Sequence, residues 1–425
     1  MKYTLQDIAD EMGMSLKTIR RFVASGELKT TKANNTYSVS EEDLESFREY
    51  IKRGEDKRRA ENITDSFLSC GDDAAYDKTS HKPIWTDISA LWDEVPPSEM
   101  TFVDLFCGAG GLSKGLELAG LEGICGLDFF KEACMTYNRN FDHPFVNGDI
   151  RSEEIKRQFY DTVSRQLAGR HLNIVAGGFP CQGFSMAGNR IVDDPRNSLY
   201  KELIEVVKHL QPDFVICENV KGLRTMLGGK VEKKIIADFH NIGYEVNVET
   251  LCAADYYTPQ KRERVIFIGN RIGVRNLHPK PLLSPENYIT TGEAIADLMT
   301  RPADPAFNHE PTNHSADMAR RIMETPEGKS LYKGYSDAWK KCPWNEPSCT
   351  IKENHGGVNL HPKLPRVLTA REMARLQSFP DDFIFEGKKN KQLVQIGNAV
   401  PPLLGKAIGL AVRIASGDIA LHSEE

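Results

Sequence analysis

No run of about eighteen apolar residues occurs in the sequence, so nothing in it predicts a membrane-spanning helix. The opening stretch MKYTLQDIADEMG is charged and amphipathic where a secretory leader would be apolar, and the expectation is an intracellular, cytoplasmic protein without a membrane partner. Nine cysteines are present, but no CxxC pair and no accompanying histidine cluster, which argues against a metal site and against a disulfide framework. Most of these cysteines should pack as small apolar residues. Positive charge is also scarce: 54 Lys and Arg against 60 Asp and Glu give a net charge of −6, so any nucleic-acid partner has to be met by a local surface. No internal repeat is evident.

A chain of 425 residues holds two or three domains, each able to bury a core. Residues 1–52 read as a short helical module. Ile8, Ala9 and Met12 recur at helical spacing, Ser15 can cap a second helix carrying Lys17, Thr18, Arg20 and Arg21, Asn34 and Asn35 suit a hairpin turn, and Ser40 with Asp43 opens a helix over Glu41 to Lys52. Residues 53–98 are expected to be a charged linker. From about 99 to 274, apolar runs alternate with helical segments, the pattern of an α/β domain with a mostly parallel sheet. Its strands are expected at Phe102–Phe106, Ile124–Asp128, Leu172–Ala176, Phe214–Glu218, Glu245–Leu251 and Val265–Gly269. Residues 275–364, rich in Pro, His, Asn and Lys, are too long for a simple loop and are expected to form a small, irregular inserted domain. Residues 365–425 should return to the main domain through helices at Thr369–Gln377 and about Leu403–Ala415.

The chemistry concentrates at a few places. In DLFCGAGGLSKG, Gly108, Gly110 and Gly111 make a turn between strand and helix, which lets backbone approach a nucleotide-like ligand, and Asp128 at the next strand end stands where an acid accepts ribose hydroxyls. This predicts a nucleotide cofactor without saying which. In GGFPCQGFS, Pro180 fixes the turn, so that Cys181 should be exposed at the carboxyl edge of the sheet among the polar neighbours Gln182, Ser185, Asn189 and Arg190. ICENVKG places Glu218 and Asn219 at another strand end, and PQKRERVIFIG puts Arg262 and Arg264 on one face of a strand start. A carboxyl group and a guanidinium converging on a cysteine suit an enzyme that grips a weakly electrophilic polar ring while a thiolate attacks it.

DLFCGAGG, GFPCQGFS, ENV, QKRER, RVLTAREMARLQSFP and QIGNAVPP occur in the order and at roughly the spacings found in the DNA cytosine-5 methyltransferases of bacterial restriction–modification systems. The resemblance spans about Thr101 to Ile414 and implies a Rossmann-like fold with S-adenosylmethionine as cofactor. It implies that Cys181 attacks C6 of a flipped-out cytosine in double-stranded DNA, that Glu218 engages N3 and the exocyclic amine, and that Arg264 holds the carbonyl oxygen with Arg262 in support. Phe106, Gly108, Gly110, Asp128, Phe129, Asp149, Pro180, Asn398 and Val400 would bind the cofactor. Residues 182–200 resemble the family's mobile loop, with Gln182, Ser185 and Arg196 as DNA contacts. Ala187 stands where some members carry Ser, so the resemblance does not extend to that one loop–DNA hydrogen bond. The variable target-recognition region falls on 275–364, and His355 and His361 are expected to be structural. Family habit also implies a monomer linked functionally to a cognate restriction endonuclease.

The N-terminal stretch TLQDIADEMGMSLKTIRRFVASGEL, followed by TYSVSEEDLESF, resembles the winged helix-turn-helix heads of the MerR and excisionase type. Lys17, Thr18, Arg20 and Arg21 would then lie on its DNA-recognition helix. Two other functions remain open at this point: a tRNA cytosine-5 methyltransferase, since one branch of the family uses the same motifs on RNA, and a regulator whose methyltransferase domain only senses cofactor. Intact Cys181, Glu218 and Arg264 speak against the second.

Overall fold

The computed structural model describes residues 2–11, 19, 22–23, 28–33, 36–52, 84–180, 197–334, 339–352 and 359–419. They fall into two compact units, one within residues 2–52 and the other within 84–419.

In the first unit, Thr4 and Asp7 exchange hydrogen bonds at the start of the helix Leu5–Glu11, with Asp7 Oδ2 accepting the Thr4 N–H at 2.8 Å and the Asp7 N–H donating to Thr4 Oγ1 at 3.2 Å. Ser40 and Asp43 do the same for the helix Glu41–Lys52, as their spacing predicts. Strands β1 (Lys2–Thr4), β2 (Thr31–Ala33) and β3 (Thr36–Ser40) form an antiparallel sheet in the order β1-β3-β2, and Ala33 faces Thr36 across the expected hairpin. Ile8, Ile19, Phe22, Val39, Leu44 and Phe47 are buried together beneath these elements. Lys17, Thr18, Arg20 and Arg21 lie outside the described residues.

The second unit is built on a seven-stranded sheet, β10-β11-β9-β8-β5-β6-β7. Its strands are β5 (Thr101–Leu105), β6 (Glu122–Asp128), β7 (Phe145–Asn147), β8 (Ile174–Gly177), β9 (Phe214–Val220), β10 (Glu245–Cys252) and β11 (Glu263–Asn270). Only β11 runs against its neighbours. All residues of β5 and β8 are buried, which is why their sequences are mostly apolar without alternation, Thr101 and Asp104 being the buried polar exceptions. The chain steps outward from β5 to β6 and β7, then returns to β8 on the other side. Strand order therefore reverses between β5 and β8, and such a reversal opens a crevice at the carboxyl ends of the strands.

The helix Pro402–Ser416 closes the unit by packing on Gly111–Leu118. A Cβ on Gly115 would stand 2.4 Å from the Pro402 carbonyl oxygen and 2.5 Å from the Gly405 Cα, so only glycine permits this crossing. Taken together, the helices Lys389–Asn398 and Pro402–Ser416 make, among the described residues, one segment long and apolar enough to cross a membrane, but 72% of its apolar window is buried inside the fold.

Two domain expectations need correction. The described part of the presumed linker, residues 84–98, belongs to the second unit: Ile88 and Trp92 are in its core, Trp92 stacks on Tyr257, and β4 (Ile84–Thr86) pairs with β12 (Leu277–Pro279). A few well-placed apolar side chains suffice to dock a segment whose average composition is polar. Residues 275–364 do carry little regular structure, yet they share a core with the C-terminal segment, because Ile295, Cys342 and Ile351 pack with Leu368, Met373 and Ile396.

Candidate active site

Past Leu105 the backbone turns sharply. Phe106, Gly108 and Gly110 all have positive φ, at 57°, 55° and 91°. Gly110 is required twice over, because a Cβ there would also stand 2.4 Å from the Phe141 ring. It is buried and shapes the turn from beneath, whereas Phe106 and Gly108 line a cavity of about 2090 Å³ together with Asp128, Phe129, Asp149 and Pro180. Asn398 and Val400 line the same cavity, and a Cβ on Gly111 would meet the Val400 carbonyl oxygen at 2.2 Å. The two glycine-containing turns, GAGG and GNAV, are thus in contact.

Asp128 is 9% exposed, and its carboxylate accepts the N–H of Gly108 at 2.9 Å and of Phe130 at 2.8 Å. Burial raises its pKa, while those N–H groups act in the opposite sense. With the Phe129 N–H also directed at it, the carboxylate still keeps acceptor capacity for a hydroxyl donor. Beside it, Phe129 is 72% exposed, the most exposed large apolar side chain among the described residues. Asp149 is held by Arg151, whose Nε lies 2.9 and 3.0 Å from its two oxygens, and this partner lowers its pKa.

On the other side of the cavity, Arg264 Nε stands 2.7 Å from Glu218 Oε1, with the side chains 12% and 13% exposed. The pairing of β9 with β11 sets this geometry, since Glu218 faces Ile266 and Arg264 faces Val220 across the ladder. Arg264 Nη1 donates to the Glu263 carbonyl at 2.8 Å, which fixes the plane of the guanidinium. A Cβ on Gly178 would lie 3.1 Å from Glu218 Oε2, so the GFP turn runs directly over the carboxylate. Asn219, buried, ties that turn down through Nδ2 to the Phe179 carbonyl at 2.9 Å. Breaking such a bond and leaving one partner unpaired costs about 1–3 kcal/mol. Pro180, the last described residue before Cys181, lines the cavity with Glu218 and Arg264. Cys181, Gln182, Ser185 and Arg196 lie outside the described residues, as do Ala187, Asn189, Arg190 and His355.

Residues 100–413 match the family described as C-5 cytosine-specific DNA methylase. The chain belongs to that family. It is a DNA (cytosine-5-)-methyltransferase whose methyl donor is S-adenosylmethionine. The methyltransferase is 39% identical over 329 residues to the Type II methyltransferase M1.HphI of Haemophilus parahaemolyticus, with 74% of this chain and 86% of that one covered. Its likeness to the Type II methyltransferase M.Eco47II of Escherichia coli, 29% over 437 residues, covers 97% of this chain and 95% of the relative, and so takes in most of the N-terminal unit. Among solved structures, a DNA modification methyltransferase encoded within an E. coli prophage aligns with a TM-score of 0.60 at 25% identity, covering 75% of this chain and 100% of that one.

The cavity of the methyltransferase fits its cofactor. Asp128 offers a hydrogen-bond acceptor and Phe129 an open aromatic face, groups suited to a ligand with a sugar and a purine ring. Asp104, 1% exposed, accepts a hydrogen bond from Ser113 Oγ at 2.6 Å, while its Oδ1 has no partner among the described residues. Burial lifts the Asp104 pKa to about 7. An unpaired buried carboxyl oxygen on the cavity wall is the group a cationic ligand needs, and in the sequence pattern Asp104 is no more than a strand end.

Arg262 departs from its expected placement. It precedes β11 and does not share a strand face with Arg264, because the strand begins at Glu263. Its side chain, 2% exposed, donates from Nη1 to the Ile351 carbonyl at 2.8 Å and from Nη2 to the Gly397 carbonyl at 3.1 Å. Arg262 is therefore a positioning residue. His361 is structural, as expected: buried, it accepts the N–H groups of Lys363 and Leu364 at Nδ1, each at 3.0 Å. Sequence reasoning overlooked the basic rim. Lys221, Lys261, Lys352, Lys388, Lys389 and Lys391 all line the cavity, and they supply the local positive face that a net charge of −6 hides. Lys221 and Lys261 pair with the exposed acids Glu263 and Glu346 at 2.7 and 3.1 Å, contacts weak enough to be exchanged for phosphates.

Proposed function

We propose that this methyltransferase acts on C5 of a cytosine turned out of a specific double-stranded DNA sequence, through a transient bond from Cys181 to C6 of the ring. The observation that carries this is the Glu218–Arg264 pair at 2.7 Å beneath the GFP turn that leads into Cys181. Glu218 and Arg264 hold the base edge, with Glu218 at N3 and the exocyclic amine and Arg264 at the carbonyl oxygen. As the Cys181 thiolate adds to C6, N3 takes a proton from Glu218 and electron density collects at C5. Bound S-adenosylmethionine supplies an electrophilic methyl group on its sulfonium. After C5 has gained the methyl group, water takes the C5 proton, the S–C6 bond breaks with its electron pair returning to sulfur, and Glu218 recovers the proton from N3. Phe106, Gly108, Asp128, Phe129, Asp149, Pro180, Asn398 and Val400 would hold the cofactor, with Gly110 shaping their turn and Asp104 facing its ammonium group. Extruding the base costs a few kcal/mol of stacking, which closure of the 182–200 loop, with Gln182, Ser185 and Arg196 on DNA, would offset.

Residues 275–364 would read the target sequence, and the biological role would be protection of host DNA in a cytoplasmic restriction–modification system alongside a cognate endonuclease, with the enzyme a monomer. Incubation with tritiated S-adenosylmethionine should label unmethylated genomic DNA and leave total tRNA unlabelled. Label in tRNA alone would overturn the choice of substrate.

Residues 1–52 would form a winged helix-turn-helix head that binds DNA apart from the catalytic cleft, with Lys17, Thr18, Arg20 and Arg21 on its recognition helix. The sheet order β1-β3-β2, the hairpin and the shared apolar core support this. Replacing Arg20 and Arg21 together by Ala should weaken binding to the DNA upstream of its own gene by about tenfold or more and flatten the salt dependence, with the methylation rate unchanged. Unaltered binding in a gel-shift titration would remove the head from DNA recognition.

A further inference from the structure

The segment between β10 and β11 holds two side chains that the methyl-transfer chemistry does not use. Gln260 is fully buried: its Oε1 accepts the Ile351 N–H at 2.8 Å, and its Nε2 donates to the Leu376 carbonyl at 3.0 Å and to Gln377 Oε1 at 2.8 Å. Arg262 holds the other polar group of the same residue, the Ile351 carbonyl, and with its second nitrogen reaches the Gly397 carbonyl. Gln377 completes the link by donating from Nε2 to the Ile396 carbonyl at 2.6 Å. Residue 351 is thus clamped on both sides, and the clamp ends on the turn that carries Asn398 and Val400.

The two ends of this clamp face different ligands. Thr350 and Lys352, flanking Ile351, line the cavity at the basic rim assigned to DNA, while Asn398 and Val400 line it where GAGG meets GNAV. The guanidinium sits between them with no acidic partner among the described salt bridges and with Nε unpaired, and burial pushes its pKa down. A charge buried on carbonyls alone is costly where hydrocarbon of similar size would fill the space. What hydrocarbon cannot do is hold two carbonyl oxygens from distant segments in a rigid fork.

We propose that Arg262 is a positioning residue that couples target recognition to cofactor binding. Movement of the Thr350–Lys352 segment on contact with DNA is passed through the guanidinium to Gly397, and so to the turn beside the cofactor. Linkage makes the effect reciprocal: target DNA tightens the cofactor site, and the cofactor tightens the DNA site by the same factor. This rests on the chain methylating DNA with residues 275–364 as the reader of the sequence.

The test uses the full chain and a duplex carrying its target, identified by bisulfite sequencing of a host that expresses it. The dissociation constant of S-adenosylhomocysteine is measured by calorimetry with and without that duplex. In the unaltered chain the duplex should tighten binding by about tenfold, within the usual range for coupled sites. Arg262→Lys keeps the charge but reaches one carbonyl at a time, and should bring that ratio to within about twofold of unity while changing cofactor affinity in the absence of DNA less than about threefold. A purely structural role would lower the melting temperature and both affinities and leave the ratio intact, which overturns the proposal, as does a ratio of unity in the unaltered chain. Should the lysine variant not fold, amide exchange in the unaltered chain decides: target duplex alone should slow exchange at Gly397 and Asn398 about tenfold, and unchanged rates overturn the coupling. Tritium transfer to the same duplex is measured in parallel, so failure of coupling in a chain that methylates DNA is distinguished from failure of methylation itself.

Discussion

Cys181→Ala is expected to abolish methylation while leaving DNA bound. Without a nucleophile at C6 the cytosine ring stays aromatic, and C5 has no carbanion character with which to take a methyl group. Losing the nucleophile of an enzyme that works through a covalent intermediate lowers turnover by about 10⁴-fold or more. The affinity for a target duplex should change by less than about threefold, since on the proposed reading the basic rim and residues 275–364 would carry the binding, and alanine removes only one small side chain. Single-turnover kinetics with saturating duplex and cofactor would measure the first effect, and a binding titration on the same preparation the second. Retained turnover would exclude the covalent route whatever the fate of binding.

Glu218→Gln should lower the single-turnover rate by about 10²–10⁴-fold, the range for loss of a positioned general acid. The amide still accepts a hydrogen bond from Arg264 Nε, now 2.7 Å from the carboxylate, so the geometry of the pair should survive and the cofactor should bind within about twofold of its usual affinity. The separation between rate and cofactor affinity follows from where Glu218 sits: at the end of β9 under the GFP turn, across the cavity from Asp128 and Phe129. Equal losses in rate and cofactor affinity would contradict the assignment, because a residue that served the cofactor or the fold would depress both.

The strands of the central sheet were legible because burial on both faces leaves short apolar runs such as FVIC and IVA, broken by polar residues mainly where a strand nears the site, and each of the six expected strands is present with ends shifted by a few residues. β7, Phe145–Asn147, was not legible, since three residues on a sheet edge carry too little pattern. The helix Lys389–Asn398 was missed for a different reason: its first turn is KNKQ, which reads as a solvated loop, and its helical state depends on Leu393 and Ile396 packing with Leu376 and Phe379. At the site, residue types and order were enough to bring together Glu218, Arg264 and the GFP turn, and the cavity unites them with the residues proposed to hold the cofactor, other than Gly110. The division of labour between Arg262 and Arg264 was hidden, because i, i+2 alternation implies a shared face only inside a strand, and β11 starts between them. The lysine rim was hidden by averaging, since a net charge sums over faces that DNA never meets.

The central claim is a bond between the sulfur of Cys181 and C6 of the target base. A duplex with 5-fluorocytosine at the target position tests it most directly, because fluorine cannot leave C5 as the proton does and the adduct has no route to elimination. With S-adenosylmethionine present, the account predicts a protein–DNA species that survives denaturing electrophoresis, with a mass equal to chain plus methylated duplex strand, and no such species from Cys181→Ala. Release of all the fluorinated DNA on denaturation by a chain that methylates the ordinary duplex would contradict it.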